Sequence, residues 1–149
     1  MKLWAALYLM VWISVLEFIL VFMVRISNLA VRFPTDIHLL VGIGMLVLAQ
    51  WNVMRLDKTN APDRIKRICK ATRAMIVIMG IFGLLSYLSL EYRFNIDIPF
   101  TEFIAFVHLV LALTVIAQAS SVATSYDMWE EKEYQTEPEA SPEPVQPTE

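Results

Sequence analysis

Four long apolar stretches dominate this chain of 149 residues and constrain its fold more than any other feature. A helix needs roughly 20 apolar residues to cross about 30 Å of hydrocarbon, and each stretch approaches that length. Hydrophobic residues make up 57% of the sequence and the mean hydropathy is +0.54, too apolar for an ordinary soluble domain. The sequence therefore predicts an all-α integral membrane protein, a four-helix bundle with spans at about 3–24, 37–54, 74–90 and 101–123.

Charge is segregated along the chain, and its pattern predicts the topology. The loop between the second and third spans, residues 55–73, holds seven lysines and arginines against two aspartates. The positive-inside rule places this basic loop in the cytoplasm, and an even number of spans then puts both termini there too. Its cations are expected to contact anionic lipid heads, with docking of a cytoplasmic partner as the alternative. Pro62 suits a first helical turn, so the third helix is expected to begin near it, ahead of its span.

The composition changes abruptly after Tyr126. Residues 127–149 hold eight carboxylates, one lysine and four prolines. Such a segment buries too little apolar surface to offset the entropy lost on ordering. We therefore predict a transmembrane domain at 1–126 and a disordered acidic tail at 127–149.

Three ionisable side chains stand out inside the predicted spans: Glu17, His38 and His108. Ionisable groups are costly in a membrane, so they usually face the bundle interior and often mark function. On the predicted topology all three lie in the outer half of the bundle. The second and fourth helices run in the same direction, so their two histidines can face one another. His108 is expected to lie about 6 Å deeper than His38 relative to the helix starts.

Each histidine has a small residue one turn further along its helix, in "HLLVG" and "HLVLA". Gly42 and Ala112 would let a flat ligand or another helix approach the backbone closely. The arrangement resembles small four-helix b-type cytochromes, and more narrowly one half of the haem A synthase family, whose bundles carry haem-ligating histidines on the second and fourth helices. The resemblance implies a haem b held by His38 and His108. Leucine follows each histidine where that family commonly has arginine, so synthase chemistry is not implied.

Glu17 admits two other interpretations. With His38 and His108 it would form a set of two imidazoles and one carboxylate, suited to zinc, copper or iron. A protonated Glu17 hydrogen-bonded to His108 or Ser14 is the purely structural alternative. The sequence contains no phosphate-binding glycine loop, nucleophile elbow or paired catalytic carboxylates, so enzyme chemistry of the soluble type has no support.

Three functions remain open on the sequence. The first is a haem b protein, like a cytochrome b, for electron transfer or haem handling in a respiratory membrane. The second is a cofactor-free accessory or assembly subunit of a larger membrane complex. The third is a small proton-coupled transporter that uses Glu17. The expected partners are the lipid bilayer and either other subunits or a second copy of the chain, and no nucleic acid is expected.

Overall fold

The computed structural model describes residues 1–26, 32–91 and 98–136. Within them the chain forms four α-helices, α1 (Leu3–Ile26), α2 (Arg32–Leu56), α3 (Asp63–Glu91) and α4 (Ile98–Thr136). Each contains a segment long and apolar enough to cross a membrane. The predicted all-helical fold is therefore confirmed, and each predicted span lies inside one helix.

Prolines and backbone hydrogen bonds set the helix starts. Pro62 immediately precedes α3, and its carbonyl accepts hydrogen bonds from the amides of Ile65 at 2.9 Å and Lys66 at 3.3 Å. Pro34 and Pro99 lie in the first turns of α2 and α4, where a missing amide proton costs nothing. The expected start of the third helix near Pro62 is confirmed.

The end of α4 differs from the prediction. The helix continues to Thr136, into the segment expected to be disordered, while residues 137–149 lie outside the described part. The Trp129 ring lies 5.5 Å from that of Tyr126 and packs against the buried apolar cluster that contains Tyr126. Tyr8 also donates a hydrogen bond of 3.3 Å to Asp127. These contacts, together with the absence of proline between residues 100 and 137, extend the helix beyond the boundary that average composition indicates.

The helices pack as a closed square. α1 and α3 each contact α2 and α4, so α2 and α4 lie diagonally opposite one another. Sequence neighbours run antiparallel: the Ser14 hydroxyl meets the Met45 sulfur at 3.2 Å, while the Asn52 amide approaches the Ala6 carbonyl at 3.4 Å. The two histidine-bearing helices therefore run in the same direction.

Apolar packing is concentrated toward one end of the bundle, where α2 ends and α3 begins; we call this the basic end. A buried cluster lies there, made of Leu3, Leu7, Val53, Leu56, Ala61, Ile65, Cys69, Val122, Ala123 and Tyr126. A smaller cluster fills the middle, made of Met10, Met45, Ala49, Ile76, Val115 and Ala119. Large apolar side chains also cover the outside, for example Trp12 at 69% and Leu40 at 70% exposure. Such a surface is consistent with helices bordered by lipid.

Candidate functional site

The two histidines meet inside the end of the bundle opposite the basic end, which we call the histidine end. Among the described residues, no Cα atom of α2 lies within 8 Å of one in α4. Nevertheless, the His38 and His108 ring centroids are 6.1 Å apart, with an angle of 78° between the ring planes. The two imidazoles therefore bridge the interior between diagonally opposite helices.

Their depths along the two helices differ as expected, yet the rings meet. His38 is the seventh residue of α2 and His108 the eleventh of α4. Four residues correspond to about 6 Å of helix rise, which could have separated the rings. Helix packing and the reach of the side chains remove this difference.

Glu17 comes from α1 and pairs with His38. Its carboxylate oxygen Oε2 contacts the Nδ1 atom of His38. The Glu17 side chain is only 9% exposed, against 34% for that of His38. An acceptor at Nδ1 favours the tautomer with its proton there, which leaves Nε2 as a lone-pair donor. The expected alternative, Glu17 bonded to His108 or Ser14, is not what forms: the Ser14 hydroxyl donates to the Met10 carbonyl at 2.8 Å.

His108 is held by the backbone of α3. Its Nδ1 lies 2.9 Å from the Met79 carbonyl oxygen, which can accept a proton only from the Nδ1–H tautomer. The ring packs directly over Gly83: a Cβ added there would lie 2.8 Å from the His108 Cε1 atom and 3.2 Å from Nδ1. Only glycine leaves room for the ring in this position.

Sequence reasoning missed Met79 and Gly83. It searched for small residues on the helices that carry the histidines, where it found Gly42 and Ala112. A Cβ added at Gly42 would meet no atom within 4 Å, so open space adjoins that position, and Ala112 is half-buried. The close approach occurs instead at α3. A glycine in the third span was the available signal.

Each imidazole is held at Nδ1 in the way that metal-ligating histidines usually are. Metal-bound imidazoles almost always donate their remaining N–H to a carboxylate or a backbone carbonyl, and here one ring has each kind of acceptor. Two imidazoles on opposite sides of one metal ion, each bonded at about 2 Å, have ring centres roughly 6 Å apart. The observed 6.1 Å matches this separation. The separation of the two rings therefore fits a metal-centred group held by both histidines.

A site made only of protein ligands has less support from this geometry. Glu17 contacts Nδ1 of His38, and the His38 ring neighbours that of His108, so the three side chains form a row. Within residues 1–26, 32–91 and 98–136, no three His, Cys, Asp or Glu side chains form a group able to hold a metal ion. The Nε2 atoms of His38 and His108 are the lone-pair donors that remain available to a metal.

Comparison of the chain with known protein families, with curated proteins and with solved structures finds no match.

Proposed function

We propose that this chain is an integral membrane protein that binds a haem b between His38 and His108, for electron transfer or haem handling in a respiratory membrane. One observation carries the proposal: two imidazoles from opposite helices lie 6.1 Å apart, each with Nδ1 already engaged. The Nε2 atoms of His38 and His108 would hold the haem iron. A bound haem would supply one-electron redox chemistry.

The protein's own residues orient the two ligands and tune them. The Met79 carbonyl fixes the ring of His108 without adding charge, whereas Glu17 places a carboxylate beside His38. A carboxylate partner makes an imidazole a stronger electron donor. His38 would therefore stabilise the oxidised iron more strongly than His108 does.

The topology that accompanies this proposal has the basic end in the cytoplasm and the histidine end near the opposite membrane surface. Seven cations in residues 55–73 support that orientation, together with the apolar outer faces of the four helices. A haem site near the outer surface suits exchange of electrons or haem with a partner there.

The visible spectrum of the protein purified after expression with sufficient haem tests the proposal. A Soret band with the α-band of a six-coordinate b-type haem is expected. His38→Ala and His108→Ala should each abolish that spectrum, while Thr114→Val, which changes a polar residue on the same helix as His108, should leave it intact. Added imidazole should partly restore the spectrum of either variant, which shows that the variant is folded.

The proposal fails if the wild-type protein takes up no haem in cells or on reconstitution. It fails equally if either histidine variant retains a wild-type spectrum. A cofactor-free accessory subunit would then be the better assignment, and co-purification of a stoichiometric partner would support it.

The row of Glu17, His38 and His108 also favours a second candidate, a proton-coupled transporter. Chains of carboxylates and imidazoles inside membranes serve as proton relays. In that case haem-free protein in liposomes should carry protons across the bilayer, and Glu17→Gln should stop the flux. Haem binding without any proton flux would exclude this candidate.

A further inference from the structure

A second site lies at the basic end, far from the histidines. A cavity of about 620 Å³ opens there between the start of α1, the end of α2 and the C-terminal part of α4. Its wall carries three cationic side chains, Lys2, Arg55 and Lys58, against a single carboxylate, Glu130. The cavity is therefore positively charged overall.

The positive charge is not neutralised by neighbouring groups. Asp57, the nearest carboxylate in the sequence, forms an ion pair of 2.9 Å with Lys70. Among the described residues, no ion pair involves Lys2, Arg55 or Lys58. The Arg55 guanidinium instead lies 5.3 Å from the ring centroid of Trp51, a contact that leaves its N–H groups available to a ligand.

The backbone around the cavity also favours an anion. The first hydrogen bond of α1 runs from the Ala6 amide to the Lys2 carbonyl, so the amides before Ala6 have no acceptor within their helix. The carbonyls at the end of α2 are occupied, because those of Val53, Arg55 and Leu56 accept from the amides of the following turn. The Leu56 carbonyl also accepts from the Thr59 hydroxyl at 2.8 Å. Donors thus outnumber free acceptors along the cavity wall.

The cavity lies where the apolar part of the bundle begins. The membrane-length segment of α1 starts at Leu3, and both Leu3 and Trp4 line the cavity. Trp4 is 41% exposed, and Tyr126 also lines the cavity. Aromatic side chains of this kind concentrate at the level of lipid head groups. A ligand here would meet cations on its polar side and aromatic rings on its apolar side.

We propose that this cavity binds the phosphate group of a phosphate ester, carried by an anionic phospholipid or by a small soluble molecule. Arg55 supplies a planar fork of donors for two phosphate oxygens, and Lys2 and Lys58 supply point charges. The site is independent of the haem proposal, because it shares no residue with the histidine end.

The experiment measures lipid retained by the full-length protein. Protein purified in detergent is loaded with phosphatidylglycerol or phosphatidylcholine, separated by gel filtration and analysed by native mass spectrometry. The site variant is Arg55→Gln with Lys58→Gln. The matched control is Arg64→Gln with Arg67→Gln, which removes two exposed cations from the same end of the bundle. Circular dichroism confirms that both remain helical.

Wild-type protein and the control should retain phosphatidylglycerol in preference to phosphatidylcholine. The site variant should retain about tenfold less phosphatidylglycerol, because it lacks two charges near the phosphate. Equal losses in the site variant and the control would overturn the proposal, since diffuse charge would then explain binding. Equal retention of both lipids by wild-type protein would exclude an anionic phospholipid as the source of the phosphate.

A second arm identifies the source of the phosphate. Glycerol 3-phosphate at millimolar concentration is added to delipidated protein, and thermal stability is measured. A rise in Tm for wild-type protein and the control, but not for the site variant, supports a soluble ester. Lipid retention without such a rise supports a head group. If wild-type protein shows neither preferential retention of phosphatidylglycerol nor a rise in Tm, the proposal is overturned.

Discussion

The basic end and the histidine end of the same bundle are built in opposite ways. At the basic end, Leu7, Leu56 and Val122 are completely buried in a continuous apolar cluster. At the histidine end, the interior holds a buried carboxylate and two half-buried imidazoles. Apolar packing stabilises a fold, whereas buried polar groups are usually kept for binding or chemistry. The apolar contacts that stabilise the fold are thus concentrated at the end opposite the proposed haem site.

Leu56→Ala should produce the largest effect on folding. Leu56 has no exposed surface, and removing a buried leucine side chain costs about 2–5 kcal/mol through lost contacts and the cavity left behind. The free energy of unfolding, measured in mixed detergent micelles, should fall by that amount, while haem content of the surviving folded fraction stays unchanged. A comparable loss of stability in His38→Gln would remove the proposed division between the two ends.

Gly83→Ala should disrupt the histidine end at a moderate cost. The added methyl group would lie 2.8 Å from the Cε1 atom of His108, so the ring must move from the Met79 carbonyl. Overpacking of this kind costs about 1–3 kcal/mol, and haem affinity should fall with it. Gly80→Ala is the matched control on the same helix, because its Cβ would meet no atom within 4 Å. Equal haem affinities of Gly83→Ala and Gly80→Ala would contradict the proposed packing of His108 against Gly83.

Glu17→Gln should change the redox potential more than the occupancy of the haem. The amide keeps the size of the side chain but removes the negative charge beside His38. Loss of that charge disfavours oxidised iron, so the midpoint potential should rise by roughly 50–100 mV, where 59 mV is a tenfold change for one electron. Ser14→Ala, one turn earlier on α1, serves as the control. An unchanged potential in Glu17→Gln would exclude a tuning role for the carboxylate.

Lys70→Gln should have the smallest effect. Its ion pair with Asp57 at 2.9 Å is exposed, with 50% and 41% of the two side chains accessible. Exposed pairs contribute between about 0 and 1 kcal/mol, and salt screens them. The free energy of unfolding should therefore change by less than about 1 kcal/mol. The variant should also lack the salt-dependent contribution that this ion pair makes to the wild-type value. A larger loss would show that the charged surface of the basic end contributes to the fold.

The helices and the two imidazoles were predictable because their signals lie within single segments. Apolar length alone gives four helices, and the position of each histidine along its helix places both rings at the same end. The partners were not predictable, because they depend on how helices pack. Glu17 meets His38 through the register of α1 against α2, and Met79 meets His108 through that of α3 against α4. The extension of α4 to Thr136 depends on the packing of Trp129. The average composition of the segment does not reveal such a contact of a single residue.

The contact between His108 and the Met79 carbonyl has a consequence for how this chain can vary. The acceptor belongs to the main chain, so Leu or Ile at position 79 would present the same oxygen at the same height. Position 83 has no such freedom, because its neighbour is the ring itself. Substitutions at the histidine end should therefore be tolerated at position 79, whose carbonyl makes the hydrogen bond. They should be rejected at position 83, which makes no hydrogen bond to the ring.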